Sequence, residues 1–111
     1  MKSEARQRLL DVLEACRAVE RFAHGKDFAS YQGDEMLRAA VERKLEVIGE
    51  AFTKLADAEP DIAEKFPDLR KIIGIRNRII HGYDTVDDEI VWDVVENKLP
   101  MLCRQVEKFL K

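Results

Sequence analysis

The sequence predicts an all-α protein, an antiparallel bundle of four to five helices, and three observations carry that prediction. Apolar residues recur at three- and four-residue spacing through most of the chain. Charged residues make up 37% and hydrophobic residues 46%, while Gly, Pro and aromatic residues are few. That is the composition of amphipathic helices, not of a β-sandwich or a disordered tail. The breaks fall at Gly25–Asp27, around Gly33-Asp34, at Glu59-Pro60, at Phe66-Pro67 and at Gly82–Thr85. Four main helices with short connections fit between them, which is the pattern of a bundle. The 111 residues suit one domain, residues 1–111, large enough to bury about two-thirds of its unfolded surface without staples.

The first helix is predicted from about Ser3 to about His24, with Leu9, Val12, Cys16, Val19 and Ala23 as its apolar stripe. His24, before Gly25, suits a helix C-terminus, where the dipole favours a cation. Residues 27–32 leave room for one short helical turn. Asp34 is the expected N-cap of the next helix, because its side chain can accept a free first-turn N–H. That helix runs to about Ala58, on a stripe of Val41, Leu45, Ile48, Phe52 and Leu55. Gly49 lies within it at a cost of about 1 kcal/mol relative to Ala, and close approach of a neighbouring helix is its expected use. Glu46 and Glu50 project away from the stripe and are expected in solvent, or for one of them against a basic residue of a partner. The third main helix starts at Pro67-Asp68 and continues to about His81, with Gly82 as its stop. Thr85 or Asp87 can cap the last helix, whose stripe is Val91, Val95, Leu99, Leu102, Val106 and Phe109. Pro100 lacks an N–H and is expected to kink that helix near residues 97–99. Ile73, Ile90, Trp92 and Met101 fall off the stripes, and a homodimer would cover them.

Charge and composition exclude several classes. The formal net charge is −3, so the chain as a whole is no basic nucleic-acid binder. Between Lys65 and Gly82, however, five basic residues face one acid, a basic island on an acidic body that can guide a polyanion. Cys16 and Cys103 lack metal-ligand spacing and are expected as buried, reduced thiols. The acidic run Asp84, Asp87, Asp88 and Glu89 lacks calcium-loop spacing and suits a helix start. No metal site and no cofactor are therefore expected. Residues 1–8 lack the apolar core of a signal peptide, and no apolar run approaches the roughly 20 residues of a membrane span. The cytoplasm is the default location.

The chemistry concentrates in Ile72-Ile73-Gly74-Ile75-Arg76-Asn77-Arg78-Ile79-Ile80-His81-Gly82-Tyr83. At 100° per residue the isoleucines spread over roughly 160°, and Arg76 and Tyr83 fall inside that stripe. Asn77 and His81, four apart, lie together on its flank. An arginine in an apolar stripe is expensive unless paired and hydrogen-bonded. Its plain explanation is an ion pair with an acid on another helix. Dipole pairing is the plain explanation for His81, and a core position for Tyr83. Their combination suits phosphodiester chemistry without metal, such as attack of an RNA 2′-OH on the adjacent phosphate. The arginine fork matches phosphate oxygens and can stabilise charge developing on phosphorus. Histidine moves a proton near neutral pH, and Asn77 could orient it. One histidine cannot easily serve as both base and acid, whereas a two-fold dimer would supply two.

At these residues the sequence resembles the HEPN-domain proteins of the HepT type, whose R-x-x-x-x-H-x-Y motif Arg76 to Tyr83 matches. Ile48-Gly49-Glu50-Ala51, Val86-Asp87, Trp92 and Leu99-Pro100 extend the resemblance over nearly the whole chain. The resemblance implies a helical-bundle homodimer with a composite cleft at the interface. It implies a metal-independent endoribonuclease acting as the toxin of a type II-like or type VII-like toxin–antitoxin pair. The partner would be an MntA-like nucleotidyltransferase antitoxin that transfers AMP to the motif tyrosine. Carried over, Arg76 and His81 are catalytic, Asn77 is supporting and Tyr83 is the modified residue. Arg78, Lys71 and Arg70 are candidate RNA-binding residues. Two other readings stay open. One is a non-catalytic HEPN module that dimerises and engages a nucleotidyltransferase or nucleotide. The other is a purely structural helical dimer.

Overall fold

The apolar periodicity becomes helix in a computed structural model that describes residues 2–80 and 86–111. The described residues form α1 (Ser3–Ala23), α2 (Phe28–Gly33), α3 (Glu35–Ala58), α4 (Pro60–Ala63), α5 (Leu69–Ile80), α6 (Asp88–Asp93) and α7 (Leu99–Leu110), with no strand among them. A π-helical turn, Val94–Lys98, joins α6 to α7. The expected positions of His81, Gly82, Tyr83, Asp84 and Thr85 lie outside the described residues.

The helix starts follow from local chemistry. Asp27 Oδ1 accepts the Ser30 N–H at 2.8 Å, and that bond holds its carboxyl below the usual range. Asp34 Oδ1 accepts the Leu37 N–H at 3.1 Å, as its position before the stripe predicts. Asp87 caps α6, its Oδ1 accepting from Glu89 N at 2.9 Å and Ile90 N at 3.4 Å. After α1, Gly25 takes a φ of +73°, which a side chain would resist. Pro60 opens the short helix α4, where a missing N–H costs nothing; the break at Glu59-Pro60 gave no sign of this extra turn. Pro100 acts as expected. It cannot donate to the carbonyl four residues back, and the preceding Leu99 N–H reaches five residues back to Val94 O.

The stripes meet in one core. α3 packs on both α1 and α5, and α1 also packs on α7. Val12, Cys16, Val19, Val41, Leu45, Ile48, Phe52, Leu55, Ile72, Leu99 and Val106 are all buried in that cluster. Trp92 departs from expectation. It is buried and stacks on Tyr31 with ring centroids 5.0 Å apart, because α2 folds over α6 to meet it. Ile90 and Met101 do remain exposed, at 44% and 47%, together with Met36 at 84%.

One acid on α3 sits where burial works against its charge. Burial raises the Glu42 carboxyl above its ordinary range, and Asp88 and Glu46 push the same way while Arg38 opposes them. A raised folded-state value means that Glu42 costs stability as pH rises through its titration. Below the unfolded value that cost vanishes. Glu42→Gln is therefore expected to raise the melting temperature at about pH 7 and to lose that advantage below about pH 4. Thermal melts across that range check it.

Candidate functional site

Arg76 occupies the seam between α5 and α3. Its aliphatic stem runs over Gly49. A Cβ built on Gly49 would collide with the Arg76 Cβ and lie 2.7 Å from its Cγ. The glycine thus serves the close approach that its mid-helix cost implies. Across the seam, Arg76 Nη2 donates to Glu50 Oε2 in an ion pair. Nη1 donates to Asn77 Oδ1 at 2.9 Å. The other Glu50 oxygen lies 3.6 Å from Lys54 Nζ, one turn along α3. The arginine side chain is 23% exposed and the Glu50 side chain 45%, so the pair sits at the rim of the core.

This arrangement corrects one expectation. Glu50 is not simply solvated, because Gly49 lets α5 come close enough for the next carboxylate on α3 to reach Arg76. Asn77 has its amide oxygen engaged by Arg76. Glu46 is partly exposed and pairs with Arg43 at 3.1 Å on its own helix. Glu50 is the one member of this cluster that the spacing does not mark as a site residue. Its signal was an unpaired arginine in an apolar stripe, together with the Ile48-Gly49-Glu50-Ala51 segment. His81 and Tyr83 fall outside the described residues; His81 follows Ile80, the last residue of α5.

The three basic candidates do not form one patch. Lys71 and Arg78 line a cavity of about 220 Å³ against α6, with Ile75, Val86 and Val91 also in its wall. Lys71 is also paired with Asp93 at 3.7 Å. The Asn97 amide, and then Lys71, hold the Asp93 carboxyl below its ordinary range. Arg70 faces another recess, shared with Pro60, Glu64 and Ile73. A cavity of about 230 Å³ adjoins the ion pair, lined by Arg8, Asp11, Arg43, Val47, Glu50 and Ile80 among others.

Both cysteines are buried free thiols, as their apolar positions predict. Burial pushes the Cys103 thiol up to about 11, aided by its 3.4 Å bond to Glu107. Burial likewise raises Cys16. Neither has the depressed value of a reactive thiolate. Among the described residues, no helix is long and apolar enough to cross a membrane.

The family model for "Ribonuclease HepT-like" matches residues 12–109. The chain belongs to the HepT-like ribonuclease family. This HepT-like chain is 33% identical to "Putative RNase MJ1380" of Methanocaldococcus jannaschii, over 96% of each chain. It is 31% identical to "Probable ribonuclease HepT" of Thermococcus cleftensis over the full length of both. A third relative, "Putative RNase TTE0752" of Caldanaerobacter subterraneus, is 31% identical over 90% of this chain and 88% of its own. No solved structure matches. The family match includes both sides of the Gly49–Arg76 contact.

The seam makes opposite predictions for two helical glycines. Gly49→Ala is expected to destabilise the HepT-like chain by about 1–3 kcal/mol through overpacking against Arg76. Gly74→Ala, with nothing within 4 Å of the added Cβ, is expected to stabilise it by about 0.5–1 kcal/mol. Denaturant unfolding of both variants checks the sign.

Proposed function

We propose that the chain is a metal-independent endoribonuclease toxin, with Arg76 and His81 as its catalytic pair. The observation that carries this reading is the guanidinium of Arg76. It is held at two terminal nitrogens at the rim of the core, five residues before His81, in a chain of the HepT-like ribonuclease family. A pre-oriented fork of donors suits the charge that develops on a phosphoryl group in flight.

In the proposed reaction an RNA 2′-oxygen attacks the adjacent phosphorus and its proton passes to one histidine. The bond from phosphorus to the 5′-oxygen breaks, and that oxygen receives a proton from a second histidine. The products are a 2′,3′-cyclic phosphate and a free 5′-hydroxyl. Two copies of His81 across a homodimer would supply both proton carriers. Ile80, 47% exposed and adjacent to His81, supports an apolar contact with a second copy at that end of α5. Asn77 supports Arg76 directly through its amide oxygen. Arg78 and Lys71 are the proposed RNA contacts on one side of α5, and Arg70 on another.

We further propose silencing by an MntA-like nucleotidyltransferase antitoxin that transfers AMP to the Tyr83 hydroxyl. An anionic nucleotide seven residues from Arg76 would compete with RNA phosphate for its charge. One observation favours the purely structural reading: Arg76 has a carboxylate partner on another helix, Glu50.

Cleavage of RNA in EDTA by wild type, abolished in His81→Ala, is the expected outcome. RNA left intact by wild type across a panel of substrates would favour the module. Incubation with the antitoxin and ATP is expected to add the mass of one AMP to the Tyr83 peptide and to stop cleavage. An unchanged peptide mass would remove the modification.

A further inference from the structure

We propose that Glu50 is the positioning residue of the site: it fixes the plane of the Arg76 guanidinium for the phosphoryl group, a role that rests on the ribonuclease reading. A carboxylate beside a phosphate-binding arginine opposes the binding of a polyanion. Its presence therefore calls for a compensating gain, and the geometry supplies one.

Three contacts constrain the guanidinium. The stem is confined where it crosses Gly49, which has no room for even a methyl group. Glu50 Oε2 accepts from Nη2, and Asn77 Oδ1 accepts from Nη1, so one end of the planar fork is held from α3 and the other from α5 itself. Lys54 holds the other Glu50 oxygen from the next turn. Arginine has several rotatable bonds, and a fork that is ordered before substrate arrives does not lose that freedom in the reaction. The bond to Nη2 uses a carboxylate oxygen, and the amide oxygen of glutamine accepts from the same donor without the charge. Orientation and charge can thus be separated experimentally.

The test compares wild type, Glu50→Ala, Glu50→Gln and Arg76→Ala in RNA cleavage, thermal melts and proton–nitrogen spectra of the arginine side chains. Glu50→Ala is expected to lower kcat by about 10- to 100-fold, because small misplacements cost on that scale. Its KM is expected to stay level or fall, because an anion has left the site. Glu50→Gln is expected to recover most of kcat. In the spectra, hindered rotation of the Arg76 guanidinium is expected in wild type and Glu50→Gln, and free rotation in Glu50→Ala. A merely structural carboxylate would lower the melting temperature without the fall in kcat or its rescue by glutamine. Wild-type kcat in Glu50→Ala overturns the proposal, as does a guanidinium that stays hindered there. So does a glutamine variant no better than alanine. If Arg76→Ala cleaves as well as wild type, the assignment of Arg76 itself fails. That outcome is distinct from loss of the Glu50 role, which the spectra report without any cleavage.

Discussion

The structure depends on a charge placed where a helix must pack. Arg76 lies inside the apolar stripe of α5, so α5 can dock on α3 only if the guanidinium finds partners at the seam. Gly49 removes the steric obstacle and Glu50 supplies the counter-charge, one residue apart on the same helix. Neither works alone. With a side chain at position 49 the helices would stand further apart, and without an acid at position 50 the close approach would strand a cation. The most chemically loaded residue of the chain is thus also a packing element. Its orientation is set by the same contact that holds α3 and α5 together.

The rest of the bundle supports that seam from behind. α3 is the helix shared by two packing partners, α1 and α5, and its inner face carries fully buried Val41, Leu45, Ile48, Phe52 and Leu55. Close-packed interiors transmit displacement poorly absorbed elsewhere, so this face holds the register of Gly49 against Arg76. On the far side, the π-helical turn before Pro100 joins α6 to α7. Near α2, Trp92 of α6 stacks on Tyr31 at the end of the core.

Electrostatics at the site are local. The basic island visible in the sequence is partly neutralised in the fold, because Lys71 pairs with Asp93 and Arg76 with Glu50. The basic side chains of α5 are also divided, with Lys71 and Arg78 lining one recess and Arg70 another. A long-range attractive field for RNA is correspondingly weak, since surface charges are screened beyond a Debye length of about 8 Å. In the proposed reaction, recognition rests on the oriented fork of Arg76 more than on that field.

Much of this was legible in the chain. Helical period, caps at Asp34 and Asp87, the disruption at Pro100 and the helix approach at Gly49 are encoded within a few residues of where they act. The motif from Arg76 to Tyr83 can be read from the chain because its residues are consecutive in the sequence. Glu50 as the partner of Arg76 was not, being 26 residues distant, and neither was the inward turn of Trp92 onto Tyr31. By itself the sequence determined which segments become helices and that an arginine would need a partner, because those are properties of local spacing and of the cost of burying charge. Only the tertiary structure decided which acid answers it, because that depends on how closely two helices approach, and one missing Cβ at Gly49 sets that distance.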